Sequence, residues 1–112
     1  MEMNALQQFL EMPPPRKCVK ILRMVISNLV QNPENPKFRS VLVEKVRTKF
    51  EREHVSWDIV IELFVSLGFT RVPNENGRIE VVDFNLQAAT TMLQLFDDFE
   101  QQQVAAKSVE VH

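Results

Sequence analysis

Apolar residues fall into short periodic blocks separated by proline, glycine and asparagine, and the spacing within each block predicts an element. Over Ala5–Glu11, Leu6, Phe9 and Leu10 share one side of a short helix. Pro13-Pro14-Pro15 ends it, because proline biases the residue before it away from helical geometry. A longer helix is expected from Arg16, where Val19, Leu22, Ile26 and Leu29 recur at three- and four-residue spacing and Ile21, Val25 and Val30 widen the stripe. Asn32-Pro33-Glu34-Asn35-Pro36 stops this helix with two X-Pro steps, which make a rigid, non-helical corner.

Phe38 to Val43, rich in β-branched residues, reads as a strand. Glu44–Glu53 returns to helical spacing, with Val46 and Phe50 inward and Lys45, Arg47, Lys49 and Arg52 forming a cationic outer face. Ser56 suits the N-cap of the next helix and Asp58 its first turn; Trp57, Ile61, Phe64 and Leu67 form its apolar stripe, and Gly68 closes it. Phe69–Pro73 and Arg78–Val82 flank Asn74-Glu75-Asn76-Gly77, whose Asn-Gly step signals a hairpin, while Pro73 marks the first arm as an edge or its end. Asn85 caps a last helix with Leu86, Ala89, Leu93 and Phe96 on one side, and the pattern lapses from Gln101 onward. The expected organisation is a short helix and Pro-rich stop over 1–15, a folded domain over 16–103 and a flexible tail over 104–112. Its order of helix, helix, strand, helix, helix, hairpin, helix makes one α+β unit.

Composition changes this picture in two respects. The chain has 112 residues with a single cysteine, Cys18, so it can bury a core of ordinary size without a disulfide, and it points to a reducing compartment with no Cys/His cluster for zinc. The net charge of −2 hides a strong asymmetry. Ten Lys/Arg stand against three acids between Arg16 and Arg52, an excess of +7, whereas three basic residues stand against twelve acidic ones in the remainder, an excess of −9. The positive segment suits an acidic partner if folding gathers its charges on one face. Met1-Glu2-Met3-Asn4 has no basic leader character and no apolar run approaches the ~18 residues of a membrane span, so a soluble, cytoplasmic protein is expected, with the nucleus also open.

Catalytic chemistry finds little foothold. There is no Gly-rich phosphate loop, no Gly-x-Ser-x-Gly and no His-Glu-x-x-His. Cys18 could pair only with His54 or His112, and a buried, unreactive thiol is the commoner state of a lone cysteine. Asp97-Asp98 lies among polar neighbours, as a solvated helix face does. A non-enzymatic protein without cofactor or metal is expected.

The run Asn28-Leu29-Val30-Gln31-Asn32-Pro33, followed by Lys37-Phe38-Arg39-Ser40-Val41 and by Ile61-Glu62-Leu63-Phe64-Val65-Ser66-Leu67-Gly68-Phe69, resembles a PUB domain. That family's pattern is N-I/L-L-x-N-P, then K-Y-R-S-I-R-x-x-N, then a helix ending E-L-L-x-x-L-G-F, and the likeness extends over about residues 16 to 100. PUB domains occur in peptide N-glycanase, in UBX-type adaptors and in a linear-ubiquitin ligase, where they dock the acidic C-terminal tail of the hexameric AAA ATPase valosin-containing protein. The resemblance implies an α+β domain with a three-stranded antiparallel sheet and a small groove for an acidic, aromatic-bearing peptide. Matched by position, it implies a peptide-binding set of Asn28, Lys37, Phe38, Arg39, Leu42 and Lys45. An aromatic ring beside cations would stack on the ligand's aromatic side chain while the cations meet its carboxylates.

Four positions that bear on the groove depart from the family. Phe38 keeps the ring of the usual Tyr without its hydroxyl, Leu42 stands where an Arg is usual and Lys45 where the pocket Asn is usual. A lost charge-assisted hydrogen bond, on the order of 1.5–3 kcal/mol, would weaken binding roughly ten- to a hundredfold, and the compact ammonium of Lys45 does not reproduce a planar two-pronged contact. Ile59 replaces a glycine that opens the family's next helix, reshaping the groove rim beside Trp57. Structural roles stand beside these: Asn28 bracing the Pro33 corner, Phe38 and Trp57 packing in the core, the basic face merely solvated. Two other functions stay open, a degenerate PUB-like domain holding a different acidic protein and a weak nucleic-acid binder. The latter rests on charge alone, without an aromatic pattern for stacking bases.

Overall fold

Alternation of apolar stripes with proline and glycine stops divides the chain into five helices and two short strands among the described residues. The computed structural model describes residues 4–11 and 14–111, with side chains over 6–11 and 14–101, so that Pro13 of the proline run and His112 lie outside the described residues. The order is α1 (Asn4–Glu11), α2 (Arg16–Gln31), a 3-10 turn (Pro36–Phe38), β1 (Ser40–Leu42), α3 (Val43–Arg52), α4 (Trp57–Leu67), β2 (Arg78–Glu80) and α5 (Leu86–Val111). Helical backbone therefore continues through most of the segment 104–112, beyond the point where the apolar pattern lapses.

Helix ends follow the residues that cause them. Pro15 precedes α2 in extended conformation and its carbonyl accepts the amides of Cys18 and Val19. Asn32 ends α2 with its amide on the Asn28 carbonyl. Glu53 caps α3, and the next residue, His54, takes a left-handed conformation (φ 63°). Gly68 closes α4 at φ 108°, and the Asn85 side chain accepts the Ala88 amide at 3.0 Å at the start of α5. Ser56 occupies the N-cap position of α4 but its side chain makes no capping hydrogen bond, contrary to the expectation.

Helix α1 lies on α4, α2 on α5, and α4 on α5. Leu6 and Phe9 are fully buried in the same core as Leu22, Ile26, Leu63, Phe64, Met92 and Phe96, and the rings of Phe9 and Phe96 meet edge to face at 6.1 Å. A second set of rings runs through the core, Phe50 to Trp57 at 6.5 Å, Trp57 to Phe64 at 6.2 Å and Phe64 to Phe69 at 5.2 Å. Trp57 is thus a packing residue, half-buried between two phenylalanines. The buried stripe of α4 is Val60, Leu63, Phe64 and Leu67, rotated from the expected one because α4 is covered on several sides and Ile61 stays half-exposed. Among the described side chains of α5 the buried positions are Ala88, Ala89, Met92 and Phe96, whereas Leu86 faces solvent.

The sheet departs from the expected three strands. β1 pairs antiparallel with β2, Ser40 opposite Glu80, Val41 opposite Ile79 and Leu42 opposite Arg78. On the other side of β2 the Phe69 arm contributes one isolated bridge, Phe69 to Val81, with the Thr70 amide on the Glu80 carbonyl. The arm cannot continue, because Pro73 has no amide to offer and the Arg71 side chain turns to Glu62 of α4. The loop Asn74–Gly77 is held mainly by Asn74, whose side-chain oxygen accepts the amides of Asn76 and Arg78. Gly77, at φ 73°, offers its carbonyl to the Val43 amide, so the loop satisfies one of the open donors at the start of α3.

Candidate functional site

The residues singled out by the sequence lie along one continuous stretch of contacting elements. The end of α2 touches the 3-10 turn, the turn touches β1, and β1 runs into α3. Asn28 is half-buried one turn before the end of α2; its carbonyl accepts the Asn32 amide, and its side-chain amide makes no hydrogen bond among the described residues. The rigid corner that follows is shaped by Asn35, whose side chain accepts the Lys37 amide at 3.0 Å. Lys37 is exposed and carries its ammonium 5.9 Å from the centre of the half-buried Phe38 ring, a cation over an aromatic face.

Arg39 is engaged within the protein on two sides. Its guanidinium donates to the Pro33 carbonyl at 2.6 Å and the Val81 carbonyl at 3.3 Å, and its own carbonyl accepts the Val81 amide at 2.8 Å. One side chain thereby ties the proline corner to the edge of the sheet. Leu42 ends β1 and is partly exposed at 36%, an apolar side chain at the rim of the surface. Lys45 projects from the first turns of α3, exposed and without an ion pair among the described residues.

A second concave region was not singled out by the sequence motifs. On α2, Lys17, Lys20, Ile21 and Met24 follow the i, i+3, i+4, i+7 spacing of one helix face. This ridge separates two depressions. Towards α3 a cavity of about 420 Å³ is lined also by Lys49, Arg52 and Glu53, with Cys18 at its base. Towards α5 a cavity of about 640 Å³ is lined also by Arg16, Arg23 and Glu100. Arg23 is engaged there, its two terminal nitrogens reaching Asp97 and Glu100 of α5. Burial pushes the Cys18 thiol up from 9.0 to about 11, with the Glu53 carboxylate acting in the same direction, so the base of the first cavity is a neutral, unreactive thiol near pH 7. The signal available in the sequence was the helical spacing of Lys17, Lys20 and Met24, which disappears when charge is summed over the whole segment.

Elsewhere, Arg71 grips Glu62 through both guanidinium nitrogens, and this hydrogen-bonded pairing holds the Glu62 carboxyl below its usual range and the Arg71 guanidinium above its own. Among the described residues no three His, Cys, Asp or Glu side chains converge as a metal site would require, and no helix is long and apolar enough to cross a membrane. Compared with protein-family models, with curated proteins and with solved structures, the chain matches none.

Proposed function

We propose that the chain is a non-catalytic peptide-recognition domain of PUB type, its third strand reduced to the Phe69 arm, which binds the acidic C-terminal tail of the AAA ATPase valosin-containing protein in ubiquitin-dependent quality control. The observation that carries this reading is the Lys37–Phe38 pair, an exposed ammonium beside a half-exposed ring on a corner held rigid by Arg39. Such a pair receives an aromatic side chain and a carboxylate together. The uncommitted amide of Asn28 and the ammonium of Lys45 flank it on the neighbouring elements. Arg39 acts in this reading as a positioning residue, and Leu42 supplies an apolar rim in place of a charge. The reading needs no metal or cofactor, and it assigns the protein to the cytoplasm or nucleus.

Leu42 favours one variant of this reading, in which the same surface holds another acidic protein. Titration of the isotope-labelled chain with the ATPase tail peptide distinguishes them. Amide shifts at Asn28, Lys37, Phe38 and Lys45 that saturate, and that Lys37→Glu abolishes, support tail binding. An absence of shifts at millimolar peptide overturns it, and a partner captured from lysate that tail peptide fails to displace supports the variant.

A further inference from the structure

From the ridge on α2 we infer a second docking site, the cleft between α2 and α3, whose occupant is an acidic peptide segment bearing an apolar side chain. The charge is one-sided: Lys17 and Lys20 on one wall and Lys49 and Arg52 on the other face Glu53 alone. All four cations are exposed, and no ion pair engages them among the described residues. Arg23, Arg47 and Arg71, by contrast, each meet a carboxylate. The cleft therefore has uncompensated positive charge that a chain of carboxylates would neutralise.

Between the cations lies an apolar strip. Met24 is 58% exposed, Ile21 is half-exposed beside it, and the Cys18 thiol is neutral beneath them. Methionine is unbranched and polarisable, so it conforms to varied apolar side chains. This composition selects a peptide over a nucleic acid. No aromatic ring lines the cleft to stack a base, and Glu53 can accept backbone amides, which a peptide has and a nucleic acid lacks. The volume of about 420 Å³ accommodates one or two side chains, not a duplex.

This site is separate from the Lys37–Phe38 surface, though connected to it. Lys45, Lys49 and Arg52 fall at i, i+4 and i+7 on one face of α3, a cationic rail from the β1 end to the cleft. An acidic partner on the first surface thus has a charged path to the second, but the cleft does not require the first to be occupied.

The test is a titration of the isotope-labelled full chain with a short peptide of aspartates and glutamates carrying two leucines. Its companions are the same peptide with serines for leucines, a single-stranded oligouridine, and phosphatidylserine vesicles. The leucine peptide is expected to shift amides of Lys17, Lys20, Ile21, Met24, Lys49 and Arg52, and to bind several-fold tighter than the serine peptide. The paired variant Lys20→Glu/Arg52→Glu, at two exposed positions, should weaken it roughly tenfold. Phe38→Ala should leave it unchanged, which separates failure of this site from failure of the tail-binding reading. Equal affinity for the serine peptide, tighter binding to oligouridine or vesicles, or shifts confined to residues 37–45 would overturn the proposal.

Discussion

At Gly68 a single absent methyl group decides how helix α4 joins the sheet. The residue sits at φ 108°, and a Cβ there would lie 2.1 Å from the Asp83 carbonyl oxygen. The Gly68 carbonyl in turn accepts the amides of Val82 and Asp83. Both the left-handed backbone and the backbone clash penalise any side chain, so Gly68→Ala is expected to cost about 3 kcal/mol in denaturant unfolding. Gly77→Ala, whose Cβ would meet only Leu42 at 3.8 Å, should cost less. Cys18 gives a second expectation with a definite sign. Its thiol keeps its proton to about pH 11 in the folded chain but only to about 9.0 when exposed, so its contribution to stability is whole below pH 9 and is lost as pH rises towards 11. Thermal unfolding across that interval should show the decline, and Cys18→Ala should flatten it. The left-handed cap was legible because glycine after a helical stripe has one common reason. The role of Arg39 was not, because both of its acceptors are carbonyls whose nearness depends on the sheet having formed.

Among the elements, α1 is the one whose weight the sequence understated. A helix of eight residues set off by prolines reads as an appendage, yet Leu6 and Phe9 are fully buried and α1 lies along α4. Phe9→Ala is expected to destabilise the chain by about 3–5 kcal/mol in denaturant melts, as for a fully buried ring. A cost below about 1 kcal/mol would mean that α1 folds apart from the rest. The helices were legible in the apolar period, since α2 ends at Asn32 and α4 at Gly68, although α3 ends at Glu53 without such a residue and α5 continues beyond the point where its stripe lapses. The orientation of α4 was legible from its polar side. Its polar residues Asp58, Glu62 and Ser66 share one face at i, i+4 and i+8, which puts Val60, Leu63, Phe64 and Leu67 opposite; Ile61 falls at the edge of that apolar side and stays half-exposed. The hairpin was legible as a reversal and Pro73 as the end of its first arm, whereas the three-stranded sheet implied by the resemblance is not formed, since the arm makes a single bridge and Arg71 turns to Glu62.

Across the whole molecule, folding divides the positive excess seen between Arg16 and Arg52 into two regions. Arg39 and Arg23 are absorbed by internal contacts, while Lys37 on the 3-10 turn and Lys45 on α3 are exposed and Lys17, Lys20, Lys49 and Arg52 line the cleft. The sum of charge was legible in composition; its partition was not, because it depends on which face of α2 the core claims. Both surfaces, if they bind acidic segments as proposed, should lose affinity as salt rises, the exposed lysines more steeply than any contact made by the Phe38 ring. The pairing of β1 with β2 has a further consequence, for the order of events. Ser40 meets Glu80 forty positions later, with α3 and α4 between them, and the Val43 amide waits for the Gly77 carbonyl. A chain emerging from a ribosome thus exposes its cationic half before the strand that braces it has been made, and long-range closure of this kind is slow. Ribosome-stalled chains ending at Asn76 should remain protease-sensitive throughout, and protection should arise in one step only after the residues of α5 have cleared the exit tunnel.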